Sequence, residues 1–275
     1  MAFAANRNLQ LAYDVIGAGP DLLLIAGTSA DRALWAQVRP ALSERFRTIA
    51  FDNRDCGASG ASPGDYGIGD LVDDTIAVLD AVGSERPHIL GHSLGGMIAQ
   101  EFALAHPERV ASLTLANSWA RRDTYVTSVF DLARDLSQSI EDDALRLRAI
   151  YFMALGVPIL RTVPLAGMVE QVLAAGPAQS RQAVVRQWQI DLDADTLDRL
   201  AAITAPTHVI WSTGDKLLPE PHGRDLVQGI PNAFETVMDG IGHAPMIEDP
   251  AAFAAAVLGF LDSRFQRETH SDPIR

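Results

Sequence analysis

The residue best placed to do chemistry is a serine in the pattern G-x-S-x-G, which occurs as Gly91-His92-Ser93-Leu94-Gly95. A short apolar run, 87–90, precedes it, and an apolar helix pattern, 94–104, follows it. A serine on such a sharp strand-to-helix turn is exposed at the end of the strand, where it can attack a carbonyl carbon. The N–H of Leu94, free at the helix start, could stabilise the oxyanion that forms. Ser93 is therefore the predicted nucleophile.

A second match to the same pattern, Gly60-Ala61-Ser62-Pro63-Gly64, lacks this context. It follows no apolar run and opens no helix pattern. The residue after its serine, Pro63, has no backbone N–H to donate to an oxyanion. We therefore expect Ser62 to take no part in chemistry. For Ser93, the alternative to a nucleophile is a helix N-cap, a position that serine commonly fills.

A serine hydroxyl needs a base to take its proton, and histidine suits this task because its ordinary pKa is near 6.5. Among the 7 histidines, His243 stands apart because it lies in a loop, 239–245, directly after the last strand pattern, 234–238. That position brings it to the sheet edge where Ser93 should also lie. His243 is the predicted base, and an ordinary loop histidine is the alternative.

The base in turn needs a carboxylate to hold its ring and stabilise its cation. Asp215 lies just beyond an apolar strand pattern at 207–211. Asp239 is the rival, but it is close in the chain to His243 and is expected to end its own strand. The residues after the preceding strand, Asn117 and Ser118, offer no carboxylate. Asp215 is therefore the predicted acid.

Alternating strand and helix patterns must position these side chains. Short apolar runs predict strands at 9–16, 21–26, 46–51, 87–90, 110–116, 207–211 and 234–238. Helical spacing predicts helices at 34–42, 68–82, 94–104, 219–228 and 250–265. Short apolar strands that alternate with helices are typical of an α/β fold, with a mainly parallel, doubly wound sheet covered on both faces.

The alternation stops in the middle of the chain. Between 119 and 195 we find helix-like stretches, glycines and prolines, but no convincing strand pattern. The sequence therefore predicts a core formed by 1–118 and 196–265, a helical cap (lid) inserted at 119–195, and a polar tail at 266–275.

Three motifs together resemble the α/β-hydrolase superfamily of serine hydrolases over nearly the full length of the chain. They are Gly91-His92-Ser93-Leu94-Gly95-Gly96, Gly214-Asp215, and Gly242-His243-Ala244-Pro245. The chain order of nucleophile, acid and base also agrees with that superfamily. Scaffold motifs such as Gly96-Met97-Ile98-Ala99-Gln100 resemble 3-oxoadipate enol-lactonases and related esterases.

The sequence departs from the family pattern at two places. Members usually have His-Gly after the third strand, where this chain has Ala26-Gly27-Thr28. The resemblance implies that the backbone N–H of Thr28 is the second oxyanion donor, beside that of Leu94. In the usual Asp-x-Arg-Gly-x-Gly-x-Ser motif, Asp55 replaces the first glycine.

These residues predict cleavage of a carboxylic ester or lactone through an acyl-enzyme on Ser93, with no metal or cofactor. One alternative keeps the same triad for C–C bond hydrolysis or perhydrolysis. Another is a non-catalytic ligand-binding protein, because a fold does not fix a function.

The predicted cap is expected to select the substrate. Its larger apolar residues could line a pocket or simply pack inside the cap. Arg121 could bind a substrate carboxylate, although solvated surface charge is the commoner role for such a residue. The candidate substrate contacts are Trp119, Arg121, Tyr125, Phe152 and Trp188.

Composition limits the other partners. The 275 residues carry a formal net charge of −13, which disfavours binding to nucleic acid or to an anionic membrane. The single cysteine, Cys56, rules out an internal disulfide, and the start of the chain lacks a signal-peptide pattern. We expect a cytoplasmic protein with a small-molecule substrate; the sequence does not indicate an oligomeric state.

Overall fold

The computed structural model describes residues 1–176, 179–231 and 233–270. An eight-stranded sheet forms its centre. In chain order the strands are β1 (Ala2–Asn6), β2 (Leu9–Ile16), β3 (Asp21–Ile25), β4 (Arg47–Phe51), β5 (His88–His92), β6 (Ser112–Ala116), β7 (Thr207–Ser212) and β8 (Phe234–Met238).

The strands lie in the order β1-β2-β4-β3-β5-β6-β7-β8. β2 pairs antiparallel with β1 and β4, and every other neighbouring pair is parallel. In the centre, Leu24 of β3 pairs with Ala50 of β4 and Leu90 of β5. The parallel strands therefore all end at one edge of the sheet, which is where ligands of open α/β sheets bind.

Helices cover the sheet and fill the longer connections. They are α1 (Arg39–Ser43), α2 (Ile68–Val82), α3 (Leu94–Ala105), α4 (Thr124–Ser139), α5 (Asp143–Ala154), α6 (Val157–Thr162), α7 (Leu165–Ala175), α8 (Arg181–Asp193), α9 (Glu220–Gly229), α10 (Pro245–Glu248) and α11 (Pro250–His270). Among the residues described, no helix combines the length and the apolar character that crossing a membrane requires.

Successive side chains of each strand enter opposite faces of the sheet. On β3, Leu23 packs in the apolar cluster that also contains Phe102 of α3. Its neighbour Leu24 packs in the cluster that contains Phe253 of α11. Both faces are thus buried under helices, which explains why the strands read as continuous apolar runs. The prediction of a mainly parallel, doubly wound α/β fold is confirmed.

We call α4 to α8 the intervening helices, because they lie between β6 and β7. Where this stretch is described, 119–176 and 179–195, it contains no strand. α4 packs against α8, and Phe130 of α4 lies between the rings of Trp119 and Trp188, with centroid distances of 5.2 and 5.5 Å. An apolar cluster therefore joins these helices to the end of β6.

Several elements, among them the short α10, differ from the sequence prediction. β1 was not predicted at all. The helix predicted over 34–42 is a 3-10 turn, Arg32–Trp35, followed by α1. α11 continues to His270, so 266–270, which were predicted to form a tail, are helical. The rest of that predicted tail, 271–275, lies outside the described residues.

Candidate active site

Ser93 lies on the turn between β5 and α3, with φ 54° and ψ −119°. A positive φ is uncommon for a residue other than glycine and costs about 1–3 kcal/mol. The end of β6 holds the turn in place. The Ser93 N–H donates to the carbonyl of Ala116 at 3.0 Å, and Ser118 Oγ donates to the Ser93 carbonyl at 3.0 Å.

The glycines around Ser93 are required by close approach of the backbone. A Cβ added to Gly95 would lie 2.1 Å from the carbonyl oxygen of Ile25, and one on Gly91 would lie 2.2 Å from the carbonyl oxygen of Gly95. A Cβ on Gly27 would lie 2.9 Å from Cβ of Ser93. The chain after β3 therefore passes directly beside the predicted nucleophile.

The predicted base and acid are in contact. Nδ1 of His243 lies 2.7 Å from Oδ2 of Asp215, and both side chains are buried. A carboxylate can only accept a hydrogen bond, so Nδ1 carries the hydrogen and Nε2 is left to accept a proton. Asp215 follows β7 and His243 follows β8, so two parallel strand ends bring these residues together.

Asp215 is held ionised although it is buried. Its Oδ1 accepts the N–H groups of Leu217 and Leu218, each at 2.9 Å, and its Oδ2 also accepts Nδ2 of Asn117 at 2.9 Å. Burial alone would raise the pKa of Asp215. The positive charge that His243 carries when it is protonated, and the hydrogen bonds from His243, Asn117 and Leu218, outweigh burial and hold that pKa below its ordinary value.

Asn117 is a site residue that the sequence did not reveal. It follows β6 with φ 45°, and its amide contacts both Ser212 and Asp215. The sequence gave one usable signal, since Asn117 ends a parallel strand next to the strand that leads to Asp215. Asn117 was not predicted because its side chain is an amide, whereas the acid of the site was sought among the carboxylates at strand ends.

His92, which precedes the predicted nucleophile, packs against the predicted base, His243. Its Nε2 lies 2.8 Å from the carbonyl oxygen of His243, and the two rings are 4.8 Å apart between centroids. A carbonyl only accepts, so Nε2 of His92 carries a hydrogen. Burial, helped by the nearby charge of His243, lowers the pKa of His92 to about 3. The ring is therefore neutral at neutral pH, and its hydrogen bond holds the backbone of His243 beside the residue that adjoins Ser93.

Glu248, at the end of α10, joins the loop that carries His243 to the intervening helices. Its Oε2 accepts the N–H of Gly242 and the N–H of Gly156, each at 3.0 Å. The N–H of His243 donates to the carbonyl of Ala154 at 2.7 Å. The end of α5 and the loop that carries His243 are thus fixed to each other. Burial raises the pKa of Glu248, partly offset by these N–H donors.

Both predicted oxyanion donors lie close to Ser93. Leu94 is the first residue of α3, so its N–H has no acceptor within the helix. Thr28 follows Gly27, which abuts Ser93, and lies in a turn closed by the Ala30 N–H and the Gly27 carbonyl at 3.2 Å. The two N–H groups therefore belong to the two segments that adjoin the serine.

Two of the predicted substrate contacts, Trp119 and Trp188, are buried in the apolar cluster around Phe130. Their indole N–H groups are buried and have no hydrogen-bond partner. Packing inside the protein accounts for most of their surface.

The other three predicted contacts have partners within the protein. Tyr125 donates its hydroxyl hydrogen to the carbonyl of Lys216 at 2.6 Å. Lys216 Nζ donates to the carbonyl of Phe152 at 2.5 Å and lies 4.9 Å from the centre of its ring. Arg121 is ion-paired with Asp225 at 2.7 Å. Tyr125 and Phe152 thus both contact Lys216, the residue after Asp215. Arg121 instead forms its ion pair with Asp225.

The substitution of glycine by Asp55 has a structural role. Asp55 keeps a left-handed backbone, with φ 68°. Its Oδ2 pairs with Arg186 of α8 at 2.8 Å, and its Oδ1 accepts the N–H of Ser62 at 2.7 Å. Asp55 therefore fixes α8 to the core and also orders the loop that contains Ser62.

Cys56 packs against α8, and its thiol is unreactive. Gln187 donates to its Sγ at 3.1 Å, and burial raises the pKa of the thiol to about 12. A buried thiol of such high pKa is a poor nucleophile. In the described part of the chain, no three His, Cys, Asp or Glu side chains come together as metal ligands would.

The fold and the site together define the class. The chain belongs to the alpha/beta hydrolase fold family, whose profile matches residues 20–250. It is 32% identical over 266 residues to "Putative carbamate hydrolase RutD" of Azorhizobium caulinodans, covering 94% of this chain and 98% of that protein. These relationships support a hydrolytic role.

Solved structures agree with this class. A hydrolase from Pseudomonas aeruginosa PA01 superposes with a TM-score of 0.85 at 30% identity, covering 94% of this chain and 97% of that one. The enol-lactonase from Burkholderia xenovorans LB400 gives a TM-score of 0.85 at 25% identity, covering 94% and 99%. The resemblance to enol-lactonases and esterases noted in the sequence is confirmed.

Proposed function

We propose that this protein is a serine hydrolase that cleaves a carboxylic ester or lactone through an acyl-enzyme on Ser93. The observation that carries the proposal is the buried pair of His243 and Asp215, in which Nδ1 and Oδ2 lie 2.7 Å apart. His92 holds the backbone carbonyl of His243, and the residue next to His92 is Ser93, which has a φ of 54°. A nucleophile on a sharp turn, beside a base that is itself oriented by a carboxylate, is the arrangement that acyl transfer requires.

In the first half of the reaction His243 Nε2 takes the proton of the Ser93 hydroxyl as its oxygen attacks the carbonyl carbon. The carbonyl π electrons move to the oxygen, which the N–H groups of Leu94 and Thr28 stabilise. Collapse of this intermediate expels the alcohol, which receives the proton from His243. Each oxyanion donor contributes about 2.7–4 kcal/mol to lowering the barrier.

In the second half water enters, gives a proton to His243 and attacks the acyl-enzyme. Collapse of the second tetrahedral intermediate releases the carboxylic acid, and the proton returns from His243 to Ser93. Asp215 stays ionised throughout and stabilises the imidazolium. Every proton is carried by the protein's own side chains, so the proposed reaction calls for no metal or cofactor.

Carbamate hydrolysis is the second candidate, and the 32% identity to RutD of Azorhizobium caulinodans favours it. A carbamate presents the same electrophilic carbon to Ser93, with a nitrogen in place of the acyl carbon. The same nucleophile, base and oxyanion donors would serve. The substrate that is cleaved fastest therefore distinguishes the two candidates, whereas the catalytic residues do not.

The test compares wild type with Ser93→Ala and with Ser62→Ala, the matched control in the other G-x-S-x-G pattern. The substrates are p-nitrophenyl esters, lactones and aryl carbamates. We expect kcat/KM of the best substrate to fall at least about 1,000-fold in Ser93→Ala and to stay near the wild-type value in Ser62→Ala. Equal activity of wild type and Ser93→Ala would refute the proposal. A wild type that binds these compounds without turnover would point to the ligand-binding alternative.

A further inference from the structure

Helix α8 contacts the turn that carries the proposed second oxyanion donor. Thr28 Oγ1 donates to Asp191 Oδ2 at 2.6 Å, and the Ser29 N–H donates to Gln187 Oε1 at 2.8 Å. Gln187 and Asp191 are four residues apart and so lie on one face of α8. Two adjacent residues of the turn are therefore each held by one side chain of the same helix.

This turn needs such external support. Its Ser29 has φ 60°, a region that glycine enters freely and serine does not. The turn closes with a single hydrogen bond between Ala30 and Gly27. A strained backbone persists only where its surroundings fix it, and here α8 supplies both of the added contacts.

Gln187 is itself held firmly, so it can fix the position of the turn that it contacts. Its side chain is fully buried, and its amide nitrogen contacts Cys56 at 3.1 Å and the carbonyl of Arg54 at 3.4 Å. The preceding residue, Arg186, pairs with Asp55. α8 is thereby fixed to the core at a point independent of the turn.

Asp191 lowers the stability of the fold, which a residue with a purely structural role would not be expected to do. It is buried, its Oδ1 has no hydrogen-bond partner, and burial raises its pKa to about 8. Burying a carboxyl group with one oxygen unpaired opposes folding. Thr28 could equally have been held by a neutral amide. Residues that reduce stability in this way concentrate where they serve function.

We propose that Asp191 and Gln187 are positioning residues that hold the Thr28 N–H in the orientation needed to stabilise the oxyanion. This inference rests on the proposed function. It gives α8 a part in the rate of the reaction, in addition to the choice of substrate expected of the intervening helices. Displacement of the Thr28 N–H would stabilise the transition state less well, and it would leave binding of the substrate in the ground state largely unchanged.

The test replaces Asp191 with alanine and with asparagine, and Thr28 with valine. Gln189→Ala is the matched control, because Gln189 is an exposed residue of the same helix that does not touch the turn. We expect Asp191→Ala and Thr28→Val to lower kcat about tenfold or more, with KM within about twofold of wild type. Asp191→Asn should recover most of the activity, since its amide oxygen still accepts from Thr28.

Two further readouts separate this role from a structural one. The Tm of Asp191→Asn should equal or exceed that of wild type, because the buried acid is removed while the hydrogen bond from Thr28 is kept. The rate at which a fluorophosphonate modifies Ser93 should fall in parallel with kcat, because the phosphoryl oxygen occupies the same oxyanion site. Gln189→Ala should match wild type in every readout.

Several results would overturn the inference while leaving the proposed function intact. They are unchanged kcat in Asp191→Ala, a rise in KM alone, or equal losses in the alanine and asparagine variants together with a lower Tm. A wild-type Ser93 that reacts with neither esters nor the fluorophosphonate would overturn the proposed function, and this inference with it.

Discussion

At the scale of single residues, the surroundings of two neighbouring histidines assign them different tasks. His92 is buried against a carbonyl oxygen, and its pKa, lowered to about 3, keeps it neutral. His243 instead faces Asp215, whose own pKa is held below its ordinary value. A histidine next to a fixed carboxylate suits the proposed role of base, whereas the neutral ring of His92 suits a supporting contact to His243.

A third buried histidine, His208, leads to a prediction about pH. Its Nε2 contacts Thr236 Oγ1 at 2.8 Å, and burial lowers its pKa to about 4. Between pH 6.5 and 4, His208 binds a proton in the unfolded chain but stays neutral in the folded protein. The free energy of unfolding therefore includes a contribution that is complete above pH 6.5 and declines as the pH falls towards 4.

His208→Gln removes this titration, and its amide can still contact Thr236. Between pH 7.5 and 4.5 the variant should lose about 2 kcal/mol less unfolding free energy than wild type, as measured by urea denaturation at both values. The other titrating groups are common to both proteins and cancel in the comparison. Equal losses in the two proteins would show that His208 does not titrate in this range.

The residues that the sequence predicted at the site are those whose chemistry is tied to a local pattern. Ser93 was set apart from Ser62 by the strand before it and the N–H after it. The structure also places Asp215 against His243. Asn117 and Glu248 were missed because their roles come from hydrogen bonds to residues 98 and 92 positions away in the chain. No local pattern records such pairings.

At the scale of elements, the loop after β8 and the end of α5 form one closely packed unit. A Cβ on Gly242 would lie 2.2 Å from the backbone nitrogen of Gly156 and 2.6 Å from the carbonyl oxygen of Ala154. The next residue, His243, donates its N–H to that same carbonyl. The position of His243, the proposed base, therefore depends on two segments whose backbones are in direct contact.

Gly242→Ala should therefore displace the base. Backbone atoms cannot move aside as a side chain can, so we expect a loss of about 1–3 kcal/mol in unfolding free energy and at least about a tenfold loss in kcat. Thermal unfolding and steady-state kinetics on the best ester substrate measure the two effects.

The matched control is Gly259→Ala on α11, where an added Cβ would meet nothing within 4 Å. It should gain up to about 1 kcal/mol, because alanine favours a helix more than glycine does, and kinetics should not change. If Gly242→Ala matched the control, the packing of these two segments would not position the base.

Element boundaries show where local sequence is a poor guide. The apolar spacing at 34–42 fits one helix, but proline has no N–H to donate inside a helix and is tolerated only in its first turn. With Pro40 in place, the chain forms a 3-10 turn and then begins α1 at Arg39. β1 is half-exposed and pairs only with β2. Its short run of alanines carries little of the alternation that identifies a strand.

At the scale of the whole molecule, the site forms only when distant parts of the chain meet. Residues 28, 93, 117, 215 and 243 follow β3, β5, β6, β7 and β8, five strands that lie side by side in one sheet. The sequence predicts this convergence because parallel strands end at one edge. It does not predict how α8 docks, since that depends on side chains such as Asp55 and Arg186 meeting across 131 positions.

The central claim, that Ser93 forms an acyl-enzyme, is tested most directly by trapping that intermediate. Wild type is mixed with a p-nitrophenyl ester, quenched in acid within milliseconds, digested and analysed by mass spectrometry. We predict that the peptide containing Ser93 gains the mass of the acyl group, and that the adduct disappears in Ser93→Ala and persists in Ser62→Ala. An enzyme that turns over the ester with the adduct on another residue, or with no adduct while Ser93→Ala stays active, would contradict the account.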